Sequence, residues 1–199
     1  MASRRRSSRT EPPSPPTQAT LHEAALDYLN HRPATAALLG RVLGRRITTW
    51  ALRAKRAGTP VEEIALRTEE ARSAIGAIVA RFVEVGLIND ASFAASRAEK
   101  LARSGRSSRA IAAYLAAKGV DGATVRAATA RGATAELAAA VALTRKKRLG
   151  AFAREPLDQE TRYKQLGVLG RAGFDRDVAE RALRLDREEA EELLEDGLL

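Results

Sequence analysis

Residues 82–128 read FVEVGLINDASFAASRAEKLARSGRSSRAIAAYLAAKGVDGATVRAA, and the fold turns on this stretch. Its apolar residues recur at helical spacing and its punctuation is glycine with serine or aspartate. A helix ends near Val85-Gly86, where glycine permits a left-handed backbone. Asp90 is a good N-cap for a helix from Ala91 to about Arg103, which stops at Ser104-Gly105. Ser107 or Ser108 caps the next helix, which ends at Lys118-Gly119. Asp121 caps a third, which turns Val125 and Ala128 inward. Three short helices joined by two tight turns make one module.

Outward from this module the chain stays helical in pattern. Apolar residues are 45% of 199, mostly Ala, Leu, Val and Ile, and aromatics only 4%. Alanine favours helix and lets helices approach closely. Strand-like alternation is scarce, so the expected class is all-α. Residues 1–19 carry Arg4, Arg5, Arg6, Arg9 and four prolines, and read as a disordered basic tail. Residues 20–90 form a first repeat, with Thr20 and Glu23 as a capping box and a helix break at Pro33. Within it, residues 45–58 read as a basic insertion around Trp50, a residue better suited to core than to base stacking. Residues 61–85 form one long helix or two, with a stripe from Ile64 through Ile78 and Phe82 to Val83. Residues 91–131 are the second repeat and 134–185 the third. Residues 186–199 hold seven carboxylates against one arginine and read as an acidic tail.

The second and third repeats superimpose in sequence at Gly119 and Gly173. Leu115 and Leu169 stand four residues before each glycine, Val120 and Phe174 directly after, Ala128 and Ala182 nine after. Val125 and Val178 fall out of register by one. Such modules, each resembling a small helix-turn-helix, are expected to stack into an elongated, curved array.

The chemistry of catalysis is not visible. There is no cysteine, and His22 and His31 lack metal-ligand spacing. No phosphate-binding glycine loop occurs, since Gly40 and Gly44 lack the lysine. Neither a metal nor a cofactor is expected, and the chain reads as a non-enzyme. No apolar run approaches the ~20 residues of a membrane span, and the basic N-terminus lacks an apolar core, so cytoplasm is the expected compartment. What remains is positive charge: 28 Arg and 6 Lys against 25 carboxylates, net +9. Such a surplus suggests an anionic partner. The second repeat alone holds eight basic residues and two acidic ones. Arg97, Lys100 and Arg103 recur every three residues as one stripe, with Ala94, Ala98 and Leu101 facing inward. Arg106 and Arg109 flank the Ser107-Ser108 cap, whose free N–H groups suit a phosphate or a partner carboxylate.

The module also resembles the RecX family of bacterial regulators. The resemblance rests on Gly86-Leu87-Ile88-Asn89-Asp90 followed by Phe93-Ala94. It continues through Gly105-Arg106-Ser107 and Arg109-Ala110-Ile111 to Leu115-Ala116-Ala117-Lys118-Gly119-Val120-Asp121. It implies an all-helical protein that binds RecA and the RecA–DNA filament and inhibits its ATPase, strand-exchange and coprotease activities. The contact candidates are Arg97, Lys100, Arg103, Arg106, Arg109 and Lys118, with Lys146, Lys147, Arg162 and Lys164 behind them. A monomer is expected, with direct DNA contact through phosphates as an added possibility. The alternative is a helix-turn-helix regulator that binds duplex DNA without RecA.

Overall fold

The computed structural model describes residues 12–154 and 158–196. Among these residues every regular element is helical. In order they are α1 (Gln18–His31), α2 (Ala36–Arg56), α3 (Val61–Glu84), α4 (Asp90–Arg103), α5 (Ser108–Lys118), α6 (Gly122–Thr129) and α7 (Ala133–Lys147). A 3₁₀ turn (Gly150–Phe152) then precedes α8 (Gln159–Arg171), α9 (Arg176–Arg184) and α10 (Arg187–Asp196). The chain divides into two units, residues 1–89 and 90–199.

In the first unit, Leu21 and Ala25 of α1, Leu39, Leu43 and Ile47 of α2, and Ala71, Ile78 and Phe82 of α3 share one core. The basic residues of the 45–58 stretch lie on α2, which runs unbroken from Ala36 to Arg56. Residues 61–84 form a single helix, and its core stripe stops at Phe82, since Val83 is exposed. The first cap differs from the sequence expectation. Thr17, not Thr20, is the N-cap: its hydroxyl accepts from the Thr20 N–H at 3.2 Å, and its N–H donates to Thr20 Oγ1 at 2.9 Å. Thr20, at the third helical position, here takes the part usually played by glutamate or glutamine. Trp50 is 8% exposed, in keeping with a core role, and its indole N–H donates to the Pro13 carbonyl at 2.9 Å. That bond holds the end of the segment expected to be a tail; residues 1–11, with its arginines, lie outside the described residues.

The second unit contains two cores. One is built from Phe93, Ala94, Ala98, Ala102, Ile111, Leu115, Val120 and Val125 of α4–α6. The other joins α7, α8 and α9 through Leu137, Val141, Leu169, Phe174, Ala179 and Leu183. The repeat is physical as well as sequential. Gly119 and Gly173 both adopt left-handed φ, 87° and 92°. In each, the next residue's N–H donates to the leucine carbonyl four before the glycine, at 3.2 Å for Val120→Leu115 and for Phe174→Leu169. This Schellman closure presses Val120 and Phe174 into their cores. The one-residue slip at Val125 and Val178 disappears in three dimensions. Ala179, six after its glycine, is the buried counterpart of Val125, while Val178 is only partly buried.

Eight residues before each glycine stand Ile111 and Gln165. Ile111 is plain core, but the Gln165 carbonyl accepts the Gly150 N–H at 2.8 Å, satisfying a buried backbone donor. Finally, α9 is not the last helix. The acidic segment after Leu185 forms α10, which sends Ala190 and Leu194 into the third module's core and keeps its glutamates outside. Residues 197–199 lie outside the described residues.

Candidate interface on the second module

Two i,i+4 pairs build the candidate site. On α4, Phe93 and Arg97 are one turn apart; on α5, Tyr114 and Lys118 are one turn apart. Small residues at Ala94, Ala98 and Ala102 let α4 close on Ile111 and Leu115 of α5. That packing brings the two pairs together. The Arg97 guanidinium lies 5.8 Å from the Phe93 ring centre and 6.0 Å from that of Tyr114. Lys118 Nζ lies 5.3 Å from the same Tyr114 ring. Each cation–π contact is worth about 0.5–1 kcal/mol at a partly exposed site. The rings hold the two cations in place, and placing like charges beside one ring concentrates positive potential there. Among the described residues no carboxylate forms an ion pair with Arg97. An anion would be bound by groups already fixed in position.

The other predicted residues do not join this cluster. Lys100 and Arg106 are exposed. Arg103 pairs with Glu99 on its own helix, and Arg109 with Asp175 at 3.4 Å across the surface. Lys164 pairs with Glu160 at 2.6 Å, Arg162 is partly buried, and Lys146 and Lys147 are exposed at the end of α7. The expected single stripe on α4 is therefore not one surface. A step of three residues turns the helix back by about 60°, so Arg97 and Arg103 diverge by about 120°. The sequence reading missed Phe93 and Tyr114 as the platform. The signal was present as the one-turn spacing Phe93–Arg97 and Tyr114–Lys118, but nothing in sequence says that the pairs meet.

The Ser107-Ser108 corner needs a larger correction. Its N–H groups do not wait for an outside anion, because Glu136 of α7 fills the position. The Ser108 N–H donates to Glu136 Oε1 at 2.9 Å and the Ser108 hydroxyl to Oε2 at 2.5 Å. Arg131 stands 3.8 Å from the same carboxylate, both side chains being 18% exposed. Ser107, fully buried, caps α5 by accepting from the Ala110 N–H at 3.2 Å and donates to the Ala172 carbonyl at 2.8 Å. The corner is an internal joint between the second and third modules. Asp121 caps α6 as read, accepting from the Ala123 and Thr124 N–H groups, whereas α4 begins at Asp90 itself rather than at Ala91; Asp158 caps α8. Hydrogen bonds from Thr124 hold the Asp121 carboxyl below the usual carboxylate range, and those from Thr161 do the same for Asp158.

Comparison with known proteins places this module. The family model described as RecX, second three-helix domain, matches residues 89–128, which are α4, α5 and most of α6. The regulatory protein RecX of Myxococcus xanthus is 37% identical over 166 residues, covering 82% of this chain and 83% of that protein. The chain belongs to the RecX family. The regulatory protein RecX of Thermobifida fusca is 36% identical over 140 residues, 70% of this chain and 74% of the relative. The crystal structure of RecX from Lactobacillus salivarius covers 84% of this chain and 94% of its own, with a TM-score of 0.55 at 17% identity, so the fold is shared. Arg97, Tyr114 and Lys118 all fall within the RecX second-domain span, as do Lys100, Arg103, Arg106 and Arg109. Lys146, Lys147, Arg162 and Lys164 lie outside it, and so does Glu136. Among the described residues no helix is long and apolar enough to cross a membrane, and no group of acidic or histidine side chains is arranged to hold a metal.

Proposed function

We propose that this RecX-family chain is a non-enzymatic regulator that binds RecA and the RecA–DNA filament in the cytoplasm and lowers its ATPase, strand-exchange and coprotease activities. Membership of the RecX family motivates the partner. The observation that carries the contact surface is the pairing of Arg97 and Lys118 on one tyrosine within the family's second domain. Preplaced cations lose little side-chain freedom on binding, so more of the attraction to an anionic surface is realised. Lys100 and Arg106, exposed on the same module, would add charge around that centre and speed encounter. Arg103 and Arg109 are weaker members, because each already has a carboxylate neighbour.

The test is the DNA-dependent ATPase of RecA, titrated with the purified chain from substoichiometric amounts upward. The expected result is inhibition by the native chain and a shift of at least about tenfold in the half-inhibitory concentration for Arg97→Glu/Lys118→Glu, which corresponds to about 1.4 kcal/mol. Helical content by circular dichroism must match the native chain. An ATPase indifferent to an excess of the native chain refutes the function. Full inhibition by the folded double variant refutes the site alone.

A further inference from the structure

The first unit carries a second concentration of charge that the second-module site does not use. Over Ala36–Arg56, α2 has six cations and no carboxylate. At about 100° per residue, its buried side (Leu39, Leu43, Ile47, Trp50 and Ala54) spans a sector of about 80°, and the cations occupy the remaining circumference. Arg45, Arg46, Arg53, Lys55 and Arg56 are all exposed. None of these five forms an ion pair with any described residue. Most other helices treat their arginines differently. Arg67 and Arg81 of α3 pair with Glu70 and Glu84, and Arg176, Arg184 and Arg187 pair with glutamates one turn away. An arginine-rich composition alone would give α2 the same mixed pattern. The helix dipole accounts for cations in the last turn, where Arg53, Lys55 and Arg56 sit, but not for Arg45 and Arg46 in the middle.

We propose that the outer face of α2 is a binding site for the phosphodiester backbone of duplex DNA, used without sequence reading and without RecA. Arg45 and Arg56 are eleven residues apart, about three turns, so they share a face over about 16 Å. A guanidinium row of this kind matches repeated phosphates, each able to accept two N–H donors. Base reading is not provided for. α2 has no Asn or Gln, and the hydroxyls of Thr48 and Thr49 are turned back onto the carbonyls of Gly44 and Arg45 at 3.1 and 2.8 Å. Single strands are held by exposed aromatic rings on which bases stack. Trp50, the sole aromatic of α2, is buried, with its N–H given to Pro13. A protein partner would be expected to find apolar anchors among the charges. Of the large apolar residues on that side only Leu52 is well exposed, at 55%, while Leu38 and Val42 are partly buried.

The experiment uses the full chain, no RecA, and a labelled duplex of random sequence, with anisotropy read at stepped salt. Arg45, Arg46, Arg53 and Arg56 lie within a sector of about 100°, with Lys55 outside it. Four phosphate contacts predict a logarithmic salt slope near −3.6, an affinity loss of about 150-fold from about 50 to about 200 mM salt. Arg45→Gln/Arg53→Gln/Arg56→Gln should flatten the slope by about 2.7, leaving a loss of about 3.5-fold over the same range. Arg67→Gln/Arg81→Gln, which removes cations already paired, should keep the native slope. The proposal is overturned if the triple variant keeps the native slope, or if the α3 variant loses as much, since net charge alone would then bind. It also fails if the single strand binds as tightly as the duplex, or if polyglutamate of equal charge displaces the duplex as well as unlabelled duplex does.

Discussion

Adding a single methyl group at Gly105 tests the joint between the second and third modules. Gly105 has φ of 84°, so Ala there incurs the left-handed penalty of about 1–2 kcal/mol. A second cost comes from α7. A Cβ at Gly105 would lie 2.8 Å from the Leu143 nitrogen and 2.9 Å from its Cα, inside van der Waals contact. Those are backbone atoms in the interior of α7, and no rotamer change can move them. Relief requires the whole helix to retreat from the loop, an overpacking cost of about 1–3 kcal/mol. Gly105→Ala should therefore destabilise the chain by about 2–5 kcal/mol. Gly58 is the control: its φ is 89°, but nothing lies within 4 Å of the added methyl, so Gly58→Ala should cost only about 1–2 kcal/mol. Urea unfolding followed by far-ultraviolet circular dichroism reads both variants, and the fluorescence of Trp50, the single tryptophan, reads the first unit separately. The reasoning fails if Gly105→Ala costs no more than Gly58→Ala, because the contact with α7 would then carry no energy.

Two further outcomes follow from the same joint and from the caps. Glu136→Ala leaves the Ser108 N–H without its acceptor and Arg131 without its counterion, and should cost about 2–3 kcal/mol by urea unfolding; a loss under about 0.5 kcal/mol would mean that water replaces the carboxylate without penalty. Asp121 and Asp158 have carboxyls held below their ordinary range, so their stabilising effect is present above the unfolded value of about 3.9 and is lost as pH falls through the lower folded values. The urea midpoint should drop on acidification below about pH 4, and Asp121→Asn/Asp158→Asn should show a shallower drop; parallel curves would remove these two caps from the acid response.

Much of the fold was legible because it rests on local chemistry. The glycines at 86, 105, 119 and 173, the caps at Ser107 and Asp121, and the apolar spacing between them are decided within one or two helical turns. The first cap was misplaced because Thr17 and Thr20 are both competent, and the choice depends on which backbone N–H groups remain unpaired. The candidate site was half legible. Arg97 and Lys118 stood out by charge, but their shared ring did not, because Tyr114 lies on another helix. The supposed anion corner was misread for the same reason. Nothing local announces that Glu136, 28 residues from Ser108, closes it.

The sequence by itself determined the helices, their stops and the repeated glycine closure, since each depends on φ preference, capping and apolar period within a few residues. Only the tertiary structure decided which groups each charge meets. Ser108 met Glu136, Arg109 met Asp175, and Arg97 and Lys118 met Tyr114, because packing of α4, α5, α7 and α9 brings together groups that lie far apart in the chain. Electrostatic interactions fall off with distance in space rather than along the chain, so the partner of a charge is known only once the helices are packed.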